Sequence, residues 1–521
     1  MTGAPAWIDA SGSPGGHRSD RRRAHLRRAL PAALVAASML AGGAACSAQD
    51  VVGPSSLSPV DVPAAFDVPL PIPPLTPSTV VDGVRVFELT AQEGSSELLP
   101  GVRTPTWGFN GGILGPTLRA SRGERVAVKV ANALPEPTTV HWHGMHLPAA
   151  MDGGPHEMIE PGGTWRPEWT IDQPAATLWY HPHPHGSTEE HVYRGLAGFF
   201  LVEDGAPSGL PAEYGVDDVP VVVQDKRLDA DGRLELDSDG NEVGLLGSTV
   251  LTNGVAGAVL DVTTELVRLR LLNGSTARVY DFALEDGRSF WHVATDGGLL
   301  PEPHETDHVR LSPGERAEIV VAMAAGSETM LVSRPPDLGD VAAPFAFGGN
   351  DAFPVLRLAA GASLRGSAAV PQRQAVGRGD AVDPDDATVT RTFEVQGRSI
   401  NGQTMDMDRI DETVQVGDTE IWEVTNLDLF PHNWHVHDVQ FHVLDVDGEP
   451  PTPELAGRKD TVYLDPRRTY RLVMRFEDYA DPDSPYMVHC HLLLHEDQGL
   501  MAQFVVTDDD DERARSHTAG H

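Results

Sequence analysis

The chain has 521 residues, 40% of them hydrophobic, with 52 Gly and 42 Pro. That length exceeds what one hydrophobic core can serve, and the turn-rich composition favours a multidomain, mostly β protein over a helical one. A formal net charge of -37 excludes charge-driven binding to nucleic acid or to an anionic membrane, and reads as a solubility device.

Taken from the N-terminus, Arg21, Arg22, Arg23, Arg27 and Arg28 precede an apolar run over residues 29–45. That run is too short, and too rich in Ala and Gly, for a spanning helix. Residues 1–46 are predicted to be an export signal of lipoprotein or twin-arginine type, placing the mature protein outside the cell or in its envelope. Cys46 directly follows Ala44-Ala45, so lipid attachment at Cys46 and simple cleavage nearby are the two readings. Cys46 and Cys490 are the only cysteines. With the first lipidated or removed, no disulfide can form, and a lone cysteine in an exported protein points to metal ligation.

Residues 47–75 are rich in Pro, Ser and Val and are predicted to be a tether. Beyond them the chain repeats itself. One block runs Gly123-Glu124-Arg125-Val126-Ala127-Val128-Lys129-Val130 and ends at Asn132. A second runs Glu265-Leu266-Val267-Arg268-Leu269-Arg270-Leu271 and ends at Asn273; a third runs Gly417-Asp418-Thr419-Glu420-Ile421-Trp422-Glu423-Val424 and ends at Asn426. Their partial alternation predicts half-buried strands. Each is followed by a turn leading into another strand-like run: Pro161-Gly162-Gly163-Thr164, Pro313-Gly314-Glu315-Arg316 and Pro466-Arg467-Arg468-Thr469. Three copies of one β unit are predicted, over 76–210, 211–375 and 376–508, as sandwiches or barrels. Residues 509–521 are predicted to be a disordered tail.

Four His-x-His pairs stand out: His141/His143, His181/His183, His435/His437 and His489/His491. Residues two apart on a strand share a face, so each pair can aim two imidazoles at one place. His141 lies nine residues after Asn132 and His435 nine after Asn426, whereas Phe282 stands nine after Asn273. Copies one and three therefore carry equivalent pairs, and copy two reads as a spacer. Eight imidazoles exceed what one metal can use, so a cluster is expected between copies one and three. Cys490, between His489 and His491, should point to the opposite face, with His432 and His495 as its partners. Two His and one thiolate make a blue-copper electron-transfer site. The first copy has Pro182 and Thr138 at the places of Cys490 and His432, and lacks it. His146, His156, His185 and His191 have no spacing that gives them a ligand role, and Met405 and Met407 read as packing under a loop.

The motifs His141-Trp142-His143-Gly144, Trp179-Tyr180-His181-Pro182-His183, Pro431-His432-Asn433-Trp434-His435-Val436-His437 and His489-Cys490-His491 with His495-Glu496-Asp497 resemble the four copper signatures of the multicopper oxidases. The resemblance spans nearly all of residues 75–508 and implies three consecutive cupredoxin-like Greek-key domains. It implies four coppers per chain: a type 1 copper on His432, Cys490 and His495, a type 2 copper on His141 and His435, and a type 3 pair on His143, His181, His183, His437, His489 and His491. It implies proton delivery by Asp152 and Glu496. It also implies oxidation of a small donor, a phenol or aromatic amine, with dioxygen reduced to two waters, in a protein expected to be monomeric. The alternatives are a cuprous- or metal-ion oxidase of copper tolerance and a non-catalytic copper-binding or electron-transfer protein. Substrate is expected to donate at an exposed imidazole of His495 or His432. Many bacterial members carry a Met ten residues after the cysteine; here Leu500 stands there, followed by Met501. A non-coordinating Leu500 predicts a raised potential, with coordination by Met501 the competing reading.

Overall fold

The three repeated blocks are the strands Arg125–Asn132, Leu266–Asn273 and Thr419–Asn426. A computed structural model of the chain, describing residues 63, 65–205, 208–374 and 382–508, shows why each ends on asparagine. A strand end leaves backbone groups that need partners when buried. Each asparagine Nδ2 donates to two carbonyls: Asn132 to Glu136 and Ile159, Asn273 to Arg278 and Leu311, Asn426 to Phe430 and Leu464. Each Oδ1 accepts the amide two residues on, at Leu134, Ser275 and Asp428. Each asparagine N–H in turn donates to the proline-led turn that follows, at Gly163, Glu315 and Arg468. The shared turns are thus the partners of the shared asparagines, and the repeat is a hydrogen-bonding device as much as an apolar pattern.

Around these strands the chain builds three pairs of sheets. In each, the asparagine strand pairs in parallel with the first long strand of the unit: Val84–Leu99, Asp218–Lys226 and Ala387–Gln396. In each, the second sheet also holds a parallel pair, such as Leu118–Ser121 with Gly198–Glu203. Separate apolar cores fill the three sandwiches, one around Trp142 and Phe200, one around Phe282 and Leu271, one around Trp422 and Phe504. The all-β expectation holds. The described α-helices are two short ones, Thr188–Arg194 and Leu493–Asp497, each just after the second histidine pair of its unit. Phe282, at the middle unit's histidine-equivalent place, lies in that unit's core.

The predicted tether needs correction. Val68–Pro69, inside residues 47–75, adds a parallel strand beside Ala258–Thr264. Tyr214 Oη donates to the Pro73 carbonyl and Asn253 Nδ2 to that of Pro71, so residues 68–73 are part of the fold, while residues 47–62 and 64 lie outside the described residues. All of the described residues lie in one unit, Pro54–His521. The predicted export signal, Cys46 and the predicted tail over 509–521 lie outside the described residues.

Candidate metal centre

The first and third units bring up their histidines by the same backbone pairing. His141 and His181 exchange both backbone hydrogen bonds, at 2.8 and 3.2 Å, and His435 stands opposite His489 on the paired strands His432–Val436 and Asp481–His489. His143 and His491 each come two residues past the paired positions, in a turn and a bend. The pairs therefore straddle strand ends instead of lying within continuous strands. The outcome expected from alternation survives, because the bend at Cys490 is held: the His491 N–H donates to Asn433 Oδ1 at 2.5 Å and the Asn433 N–H to Cys490 Sγ at 3.4 Å.

All eight cluster imidazoles are buried and converge from the two units. His143 stacks on His435 with centroids 3.7 Å apart, and His141 on His437 at 3.8 Å. Their inward nitrogens fall into three sets. His141 Nε2 and His435 Nε2 are 3.5 Å apart. His489 Nε2 lies 3.1 Å from His183 Nε2 and 3.2 Å from His437 Nε2. His181 Nε2 lies 3.3 Å from His143 Nδ1 and 3.4 Å from His491 Nε2.

Outward nitrogens of most rings have oxygen partners that fix ring orientation. His141 Nδ1 meets the Asp152 carbonyl, His181 Nδ1 that of Pro182, His435 Nδ1 that of Asp460 and His489 Nδ1 that of Cys490. His437 Nδ1 meets Asp152 Oδ2 at 2.6 Å. Glu496 sits between the units, with one oxygen 3.3 Å from His183 Nδ1 and the other 3.3 Å from His489 Nδ1.

On the other side of the bend, Cys490 Sγ lies 3.6 Å from His432 Nδ1 and 3.5 Å from His495 Nδ1, and those two nitrogens are 3.0 Å apart. Leu500 packs in the same apolar cluster as Cys490, along with Ala502 and Phe504. Met501, the next residue on the strand Met501–Thr507, is buried but is not among that cluster's members. One expectation is overturned here: His495 and His432 are both fully buried, not exposed. His495 Nε2 meets the Glu242 carbonyl at 2.8 Å, and His432 Nε2 meets Asp428 Oδ2 at 2.9 Å. A middle-unit segment carrying Glu242 covers the edge that the sequence left open.

The donor set can be tested for a metal by its own electrostatics. Burial, reinforced by neighbouring imidazoles, holds His143, His181, His183, His435, His437 and His491 well below the ordinary histidine range, and burial holds His489 down to about 3. Those seven rings are neutral at pH 7, yet their lone pairs face one another at 3.1–3.4 Å. That arrangement repels unless cations sit among the nitrogens. Burial pushes the Cys490 thiol up to about 12, so a thiolate forms there only with a positive ion to stabilise it. Neutral imidazoles with one sulfur fit copper. They fit zinc poorly, since eight clustered nitrogens far exceed a tetrahedral shell.

His185, His146, His156 and His191 are outside these sets. His191 bonds to Thr138 Oγ1 and Glu136, His146 to Asp438 and Asp478, and His156 to Gln503. Sequence reasoning missed Asp460, Arg316, Asn433, Asp428 and Glu242. Asn433 lies inside the motif that carries His432 and His435, and Asp428 four residues before His432; Asp460, Arg316 and Glu242 act on residues far away in the chain.

Comparison with known proteins adds the following. Two family models, both described as "Multicopper oxidase", match residues 90–207 and 380–510. The chain is 34% identical over 436 residues to "Multicopper oxidase mco" of Staphylococcus haemolyticus, covering 82% of this chain and 89% of that one. It is 36% identical over 448 residues to "Cell division protein FtsP" of Escherichia coli (strain K12), covering 84% and 92%. Its fold is similar to that of the laccase-like multicopper oxidase CueO from Ochrobactrum sp., described as having activity towards lignin model compounds and lignosulfonate. That match has a TM-score of 0.77 and 36% identity, over 84% of this chain and 100% of the other.

Proposed function

We propose that this chain, which belongs to the multicopper oxidase family, takes single electrons from phenols, aromatic amines or similar small donors and passes four of them to dioxygen, giving two waters. The observation that carries the reading is the bend at Cys490. Its sulfur faces His432 and His495, while His489 and His491 on either side face the other six cluster histidines. His432, Cys490 and His495 would hold a type 1 copper and His141 and His435 a type 2 copper. His143, His181 and His491 would hold one type 3 copper, and His183, His437 and His489 the other, making four per chain. Copper bound in these two places supplies one-electron acceptance at the sulfur and dioxygen reduction among the imidazoles.

The chain's own groups do the rest. Phe430 lies 5.1 Å from the His432 ring and 6.5 Å from Phe347, and Phe345 and Leu429 are exposed. This apolar surface over a buried imidazole suits an aromatic donor. Asp428, on the outer nitrogen of His432, can take the proton a phenol loses with its electron. Asp152 and Glu496, each against two cluster histidines, would supply protons. A second reading, oxidation of cuprous ion, is favoured by the oxygens of Asp428 and Glu242 on the two outer nitrogens. Oxygen uptake by copper-loaded protein, measured against phenols and against cuprous ion, decides between them. The aromatic reading requires faster kcat/KM with phenols; a preference for cuprous ion reverses it. No uptake with any donor removes the oxidase reading altogether. Export to the cell envelope or beyond, and a monomeric state, complete the proposal.

Leu500 has no lone pair to offer beside Cys490 and shares its apolar core. Leu500→Met would add a soft donor that favours the oxidised state of the type 1 centre. Redox titration of the blue absorption is expected to show a lower potential in Leu500→Met than in the parent. An equal or higher potential would mean that Leu500 does not occupy the axial place.

A further inference from the structure

His143 is set the other way round from the rings paired with it. His141, His181, His435 and His489 present Nε2 inward and rest Nδ1 on a backbone carbonyl. His143 presents Nδ1 inward, 3.3 Å from His181 Nε2. Its outward Nε2 has no carbonyl; it meets Asp460 Oδ1 at 3.0 Å and Thr461 Oγ1 at 3.1 Å. The Asp460 carboxylate is held on its far side by Arg316, whose Nη1 and Nη2 reach its two oxygens at 2.7 and 2.6 Å. Arg316 and Asp460 are both fully buried. Arg316 belongs to the middle unit, on the turn Pro313-Gly314-Glu315-Arg316, and its Nε donates to the Thr177 carbonyl of the first unit. The Asp460 carbonyl meanwhile holds His435 Nδ1. One middle-unit arginine therefore fixes one residue that orients a histidine from the first unit and another from the third. The chain makes room for this. A Cβ on Gly144, where φ is +82°, would lie 2.5 Å from Asp460 Oδ2 and 2.7 Å from Arg316 Nη2.

We infer that Arg316 and Asp460 are positioning residues that select the Nδ1-inward setting of His143, so that the middle unit, which gives no ligand, sets the geometry of the histidine cluster. A carboxylate accepting the Nε2 proton leaves the lone pair on Nδ1, facing His181. The bidentate fork fixes the orientation of the carboxylate, which a point-charge lysine does less well.

The inference rests on the copper reading above, and its test separates the two. Removing one partner would strand a buried charge, so the informative variant is the double substitution Arg316→Met with Asp460→Leu, which replaces a buried pair by apolar groups. It is expected to fold and to keep the blue absorption of the Cys490 site, while copper bound by the histidine cluster is held about 10- to 100-fold more weakly. Arg316→Lys is expected to retain most of the parent's affinity. A double variant holding cluster copper as tightly as the parent overturns the inference. Should the double variant not fold, the ring-nitrogen spectrum of metal-free 15N-histidine protein decides, with the His143 signals identified by their loss in His143→Asn. A proton on Nε2 of His143 supports the inference and a proton on Nδ1 overturns it. A parent protein that binds no copper sinks the functional reading but leaves this tautomer measurable.

Discussion

Cys490→Ser is expected to abolish the blue colour and to lower kcat/KM for every donor by at least about 10³-fold, a barrier increase of roughly 4 kcal/mol. The reason lies in what the sulfur joins. Cys490 Sγ is 3.6 and 3.5 Å from the inward nitrogens of His432 and His495, and the residues on either side of it in sequence are cluster histidines. An electron arriving at the outer histidines has a short covalent path through this one side chain. A serine hydroxyl keeps the shape but is a hard, neutral oxygen in an apolar pocket, and it stays protonated. The eight cluster imidazoles are untouched, so the variant is expected to keep about three of the four coppers proposed for the parent, the number of metals those imidazoles can serve. Copper analysis with steady-state oxygen uptake checks both halves. Turnover within tenfold of the parent would show that electrons reach the cluster by another route. Loss of all copper would show that the two sites do not load independently.

The clustering of the histidines and Cys490 was legible in the sequence because metal binding compresses such residues into short motifs. A backbone that turns at a strand end must supply two imidazoles from positions two apart, and the duplicate in the other unit repeats the spacing. The asparagine repeat was legible for a similar reason: Asn132, Asn273 and Asn426 each close a turn that only a side-chain amide can satisfy on both donor and acceptor sides. What the sequence hid is what depends on meetings across units. Asp460 and Arg316 are 144 positions apart, and nothing near either residue suggests a cluster histidine. The covering of His495 was hidden too. It is a backbone carbonyl at Glu242 that covers the ring, and a carbonyl has no sequence signature. Val68–Pro69 reads as tether because its partners, Ala258 and Val259, are far away in the chain. The strand-end placement of the histidine pairs was missed because i, i+2 spacing cannot tell a continuous strand from a strand running into a bend.

Glu496→Gln is expected to lower kcat by about 10²- to 10⁴-fold, the range for loss of a positioned proton donor, while KM for the donor changes little. Glu496 is buried, with one oxygen against His183 of the first unit and the other against His489 of the third. Burial, and then the neighbouring Asp497, hold its carboxyl well above the usual range, which favours the protonated form that a donor needs. Dioxygen reduction to water consumes four protons, and this carboxyl, with Asp152 and Asp460, is one of three described acids against the cluster histidines. Glutamine retains the length and planarity of the group and can still hydrogen-bond, but it has no proton to release. The proposed donor site is on the far side of Cys490, so its affinity for substrate should be unaffected. The two half-reactions then separate the effect. Anaerobic bleaching of the blue colour by donor should run at the parent rate, and its return on mixing with oxygen should be slow. That return should quicken as pH falls, because acid from solvent substitutes for the missing carboxyl. If bleaching slows instead, or if the return is slow but indifferent to pH, Glu496 holds the histidines in place and does not deliver protons.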